Sequence, residues 1–152
     1  MNMKISIPVL GDGGVIPTKY TCDGENISPL IEWEGIPEGA KFLVLICDDP
    51  DAYGGTWVHW VVFNIPSDTK GLPKNILPER ELKNSALQGM NDFKKIGYGG
   101  PCPPSGEHRY FFKLYALDER INLPSGAYKN QIFIAMEGHV LAQCDIMGKY
   151  SR

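Results

Sequence analysis

An all-β fold, a β-sandwich of two antiparallel sheets with a C-terminal amphipathic helix and one short extra helix, is predicted by three features of the sequence. Runs of β-branched and aromatic residues are short, and Gly, Pro, Asp and Asn separate them. No run alternates with a helical pattern of roughly 10 to 15 residues, which disfavours a parallel α/β sheet. Two runs, "KFLVLICD" and "HRYFFKLYAL", are apolar enough to be covered on both faces. With 152 residues, no internal repeat and no linker, residues 1–152 are expected to form one domain that buries about two thirds of its unfolded surface.

In chain order, "VIPTKYT" (15–21), "LIEWEG" (30–35), "KFLVLICD" (41–48), "GTWVHWVVFNI" (55–65) and "HRYFFKLYAL" (108–117) read as strands. "PERELKNSA" (78–86) predicts the short helix, since Pro78 suits a first turn and acidic residues follow it. The C-terminal "NQIFIAMEGHVLAQCDIMGKY" predicts one amphipathic helix. Ile132, Met136, Val140, Cys144 and Met147 recur every three or four residues, with Asn130 as N-cap and Gly148 just past the end. Gly138, mid-helix, predicts close approach of another backbone.

Strand parity sorts the candidate functional residues. Successive side chains face opposite sides, so His108, Tyr110, Phe112 and Leu114 share one face and Arg109, Phe111, Lys113 and Tyr115 the other. The same rule groups Trp57, His59, Val61 and Phe63. The turn "DDPDAYGG" places Asp48, Asp49 and Asp51 at one end of the sandwich, with Asp49 extended because Pro50 follows it.

Each of these residues has an ordinary explanation. A histidine in an apolar strand is most often a hydrogen-bonded core residue, and Asp-Pro-Asp is most often only a turn. Two His and one carboxylate suit a metal, yet no local HxD or HxxxH spacing brings them together, so none is expected. Ser105 lies near His108 without a G-x-S-x-G elbow. Arg109, on an apolar strand, is expected in a buried ion pair with a turn aspartate.

Lys and Arg number 15 against 18 Asp and Glu, a net charge of −3, so nucleic acid finds no basic footprint. The first residues lack a charged and then apolar leader pattern, and no stretch approaches about 18 continuous apolar residues, so a cytoplasmic location without a transmembrane segment is expected. Cys22, Cys47, Cys102 and Cys144 show no CxxC spacing and are expected as reduced thiols. A Cys22–Cys102 contact stays open, because both lie in turn-rich segments that could meet at one end of the sandwich.

Four segments, "YTCDGENISP", "LICDDPDAYGGTWVHWVVFNIP", "QGMNDF" and "GYGGPCPPSGEHRYFFKLYAL", stand in the order typical of phosphatidylethanolamine-binding proteins. The chain resembles their prokaryotic, Raf kinase inhibitor-like branch from about Ile16 to the C-terminal "GHVLAQCDIMGKY". The resemblance implies a pocket at one sandwich end for phosphate, phosphorylethanolamine, acetate or a similar anion. Carried over by position, its residues are Asp49, His59, Pro103, Pro104, His108 and Tyr110, with Asp51 and Arg109 supporting the wall from behind. No metal, no cofactor and no catalysis are expected. The expected partners are a small phosphorylated or carboxylate anion and a kinase or serine protease that the protein regulates, with a homodimer as a further expectation. The rival expectation is a small hydrolase or lyase using His59 and His108 as acid and base. The chain departs from the family's pattern at Tyr53, where a proline is usual, and at Ser28-Pro29-Leu30-Ile31, where one proline is missing.

Overall fold

The computed structural model describes residues 2–152 and is mainly β. Its strands are β1 (Lys4–Ser6), β2 (Gly14–Val15), β3 (Ile31–Glu34), β4 (Phe42–Asp49), β5 (Trp57–Pro66), β6 (Gly71–Leu72), β7 (Leu87–Gln88), β8 (Glu107–Leu117) and β9 (Val140–Ser151). A 3-10 turn spans Thr18–Tyr20, and one α-helix, α1, spans Lys129–Met136. A three-stranded sheet in the order β1-β3-β6 faces a six-stranded sheet in the order β2-β9-β8-β4-β5-β7. All pairings are antiparallel except that of β2, whose two residues run parallel to Gly148 and Lys149 of β9.

Alternation along the long strands builds two apolar layers. Between the sheets, Ile5, Trp33 and Leu72 pack with Leu45, Trp60, Phe112 and Leu114. On the outer side of the six-stranded sheet, Val44, Ile46, Val61 and Phe63 pack with Ile132 and Met136 of α1. The expectation for β8 holds: Tyr110, Phe112 and Leu114 are buried while Arg109 is exposed and Phe111 and Lys113 are half-buried.

Several local expectations fail, each for a visible reason. The C-terminal helix stops after two turns and the rest of the segment is β9, which pairs with the whole of β8. Spacings of four, such as Val140 to Cys144, fit period 2 as well as period 3.6. From Val140 onward the strand period wins, with Ile146, Gly148 and Tyr150 on the buried face. Gly138 is needed for its φ of +81°, which reverses the chain after α1, and no other group approaches its Cβ position. Gly148 ends no helix; it sits where Ile16 packs, and a Cβ there would lie 2.6 Å from Ile16 Cγ1.

The N-cap of α1 is Tyr128, not Asn130, with the Tyr128 N–H donating to Gln131 Oε1 at 2.9 Å. Residues 78–86 form turns, not a helix. Asn84 Oδ1 accepts from the Ala86 N–H, and Ser85 takes a φ of +73°. The buried Gln88 amide then binds the Leu77 and Glu79 carbonyls at 2.8 Å each, satisfying them outside any helix. Of the "VIPTKYT" run, only Val15 is in a strand; Pro17 leads into the 3-10 turn.

Cys22 and Cys102 are disulfide-bonded, so they are not reduced thiols, whereas Cys47 and Cys144 are free. The bridge joins two turn segments that other bonds also hold together. Cys22 N–H donates to the Pro101 carbonyl at 3.1 Å, and Gly100 N–H donates to Asn26 Oδ1 at 2.8 Å. No helix among the described residues is long and apolar enough to cross a membrane.

Candidate functional site

The end of β4, the starts of β5 and β8 and the 99–106 turn converge at one end of the six-stranded sheet. Between them lies a cavity of about 230 Å³. Asp49, His59, Pro103, Pro104, His108 and Tyr110 all line it, and so do Ala52, Tyr53, Trp57, Phe93 and Cys102.

His59 reaches the cavity through a backbone irregularity. Cys47 pairs with Trp60 but Asp48 pairs with Val58, so His59 is an extra residue in β5. Strict parity would have placed His59 with Val61 and Phe63, toward α1. The bulge instead turns its ring to within 5.2 Å of the Tyr110 ring, edge to face. His59 Nδ1 lies 2.6 Å from the Gly99 carbonyl oxygen. Burial lowers its pKa from the usual value, against the opposing pull of the Gly99 carbonyl, Asp49, the Gly100 backbone and Asp48.

Phe93 closes the side of the cavity, its ring 5.3 Å from that of His59 and 5.6 Å from that of Trp57. Its loop is held by Asn91 Oδ1, which accepts the N–H of Phe93 and of Lys95, and by Asp92 Oδ2, which accepts the Val58 N–H at 2.7 Å. Gly99 makes room: a Cβ there would lie 2.5 Å from the Phe93 ring.

The three aspartates of the "DDPDAYGG" turn part company. Asp49, almost fully buried, accepts the Asp51 N–H on Oδ1 at 2.7 Å and His108 Nδ1 on Oδ2 at 2.6 Å. Its carboxylate therefore orients His108. Asp48 points to the other side of the sheet, where it meets Lys113 and Lys129. Asp51 lies outside, held in a fork by Arg109: Nε and the backbone N–H donate to Oδ2 at 2.9 Å each, and Nη2 to Oδ1 at 2.8 Å.

The Arg109 pair is exposed, with half of the Arg109 side chain in solvent, which corrects the expectation of a buried ion pair. An arginine at the first turn of a strand keeps its head in water because β8 is only covered further along. The fork nonetheless supports the cavity from behind, through Asp51 N–H to Asp49 and Asp49 to His108. Its electrostatic effect is specific: the hydrogen bonds from Arg109 lower the Asp51 pKa to about 2. Since the folded pKa lies below the unfolded one, the pair's stabilisation is present above about pH 4 and is lost as pH falls through about 2. In a carboxyl NMR titration, Arg109→Ala should move the Asp51 midpoint up toward about 3.9, with little change in thermal stability at pH 7.

Tyr110 is buried, and desolvation, with Asp49 and Cys47 adding to it, raises its pKa well above the ordinary value, so the hydroxyl keeps its proton. Phe93 and Cys102 were not singled out as site residues by the sequence. "QGMNDF" carried the signal for Phe93, as an aromatic following the Asn that organises a loop.

Two facing sheets with an imidazole- and proline-walled cavity where three strand ends meet define a mainly-β protein with one structured end. The chain belongs to the phosphatidylethanolamine-binding protein family, whose model matches residues 6–151. A UPF0098 protein of Methanothermobacter thermautotrophicus is 53% identical over 150 residues, 99% of each chain. One from Aquifex aeolicus is 51% identical over 144 residues, 93% of this chain and 84% of its own. The crystal structure of a phosphatidylethanolamine-binding protein homolog from Chlamydia trachomatis superposes with a TM-score of 0.91 at 37% identity, covering 99% of this chain and 98% of that one. Escherichia coli YbcL, described as a new member of the mammalian family, gives 0.91 at 32% identity over 100% and 99%.

Proposed function

We propose that the protein binds a small anion, a phosphomonoester such as phosphorylethanolamine, inorganic phosphate or a carboxylate, in the cavity between His59 and His108. The observation that carries this reading is the Asp49–His108 contact of 2.6 Å at the cavity wall. A carboxylate on Nδ1 fixes the ring and leaves Nε2 for the cavity, where an imidazolium N–H would meet an anionic oxygen in a charge-assisted hydrogen bond. The Tyr110 hydroxyl, kept protonated, is a second donor. About 230 Å³ suits a phosphoryl or carboxylate group with a short substituent.

Among the described residues no hydroxyl or thiol hydrogen-bonds either imidazole, so nothing favours covalent catalysis; the rival hydrolase or lyase reading, with His59 and His108 as acid and base, would show as turnover of methyl phosphate. A kinase or serine protease as regulated partner and a homodimer complete the proposal, supported by the family resemblance; a cytoplasmic site of action belongs to it too, and there the Cys22–Cys102 bridge has to withstand a reducing environment. Titration calorimetry with methyl phosphate tests the pocket. His108→Ala should weaken binding by at least about tenfold, because it removes a charge-assisted donor at the cavity wall, and should lower the melting temperature as well, because it leaves the buried Asp49 Oδ2 without its hydrogen bond. Unchanged affinity in that variant would take His108 out of the site.

A further inference from the structure

We infer that this pocket selects tetrahedral oxyanions that still carry a proton over equally charged ones that do not, and that His59 makes the selection. The inference rests on the anion-pocket reading and deepens it. A carbonyl oxygen can only accept, so the 2.6 Å contact with Gly99 places the hydrogen of His59 on Nδ1. His59 is 3% exposed, and its burial opposes a second proton on the ring. Nε2 is therefore a bare lone pair. It has no hydrogen-bond partner among the described residues, while the ring lines the cavity.

Nothing around His59 supplies the missing hydrogen. Asp48 and Asp49 of β4 offer only acceptors, and Phe93 meets the ring edge-on without a polar group. From β8, His108 is committed through Nδ1 to Asp49, and Tyr110 packs its ring against that of His59. Asp49 holds one protein donor on each oxygen, the Asp51 N–H and His108 Nδ1, and a carboxylate brings no hydrogen of its own to His59. A bound oxyanion must bring its own hydrogen to His59.

A phosphomonoester monoanion does so. Its P–O–H donates to His59 Nε2 while its remaining oxygens accept from Tyr110 and His108. A sulfate monoester has the same shape and the same single charge but only acceptor oxygens, so one of them would face the His59 lone pair. A polar site left unmatched in this way discriminates strongly, because the buried acceptor loses its partner on binding. The ligand class is thus the singly ionised phosphomonoester, and the fully ionised phosphomonoester, formed with a pKa of about 6, is disfavoured for the same reason.

Calorimetry with methyl phosphate and methyl sulfate at pH 5.5 and constant ionic strength tests this. Both are mainly monoanions there, and they differ by one hydrogen. Methyl phosphate should bind at least about tenfold more tightly in the parent protein. In His59→Phe, which keeps a ring against Phe93 and Tyr110, the preference should fall below about threefold; His59→Leu serves if the first variant melts early. Equal affinities in the parent protein overturn the inference and leave the anion pocket standing. A preference that survives intact in a folded His59 variant removes His59 as its source. If neither ester binds, the anion-pocket reading itself falls.

Discussion

Serine at both Cys22 and Cys102 is expected to lower the unfolding free energy by about 4 kcal/mol, from the loop-closure entropy of a bridge between residues 80 apart. For a chain of this length that corresponds to a fall in melting temperature of roughly 10 °C. The effect should reach the cavity, because Cys102 lines it and Pro103 and Pro104 follow directly. The Cys22 N–H to the Pro101 carbonyl and the Gly100 N–H to Asn26 Oδ1 will hold the two segments in part, so the variant should fold. Its affinity for methyl phosphate should weaken, with the loss growing as temperature approaches the lowered midpoint. Urea titrations of the parent protein with and without a phosphine reductant, beside the double serine variant, measure this. Coincident curves for all three would mean that the bridge constrains nothing the other contacts do not already hold.

The sandwich was legible because its long strands are alternating and apolar. β4 and β8 stand where their residue types put them, and parity in β8 correctly separates His108 and Tyr110 from Arg109. Parity failed in β5, since nothing in "GTWVHWVVFNI" marks His59 as the extra residue of a bulge. The outward groove toward α1 and the inward cavity differ there by one residue of register. β9 was misread because residues four apart share a face in a strand as well as in a helix; the deciding contact is β8, distant in sequence. The turn aspartates were correctly placed at one end, but which carboxylate points where depends on strand pairing on both sides of β4. The resemblance named six cavity residues that the fold does gather. What it could not give is their hydrogen-bond economy: Asp49 is committed to His108 and Asp51, and the His59 hydrogen to Gly99.

Removing both lysines that face Asp48 is expected to cost about 3 to 5 kcal/mol, because it strands a carboxylate in the apolar layer beneath α1. Asp48 is fully buried. Lys129 Nζ lies 2.6 Å from its Oδ2; Lys113 Nζ lies 3.1 Å from Oδ1 and hydrogen-bonds Oδ2 at 3.2 Å, which leaves Oδ1 without a hydrogen bond. The two ammonium groups reach in from more open surroundings, one from β8 and one from the first turn of α1, so this carboxylate ties the helix to the sheet. Methionine at positions 113 and 129 would keep most of the apolar stem and delete the charge, together with the contacts each ammonium makes over the Phe111 or Phe133 ring. Adding Asp48→Leu to that pair removes the stranded charge as well, and a buried ion cluster replaced throughout by apolar groups is often neutral or stabilising. The triple variant should therefore recover most of what the double variant loses, a non-additivity that urea denaturation of the two proteins reads directly. If the double variant unfolds at the parent midpoint, water reaches Asp48 easily and the cluster is not what fastens α1. If the triple variant is no better than the double, the loss comes from the ammonium contacts with the Phe111 and Phe133 rings, not from the carboxylate.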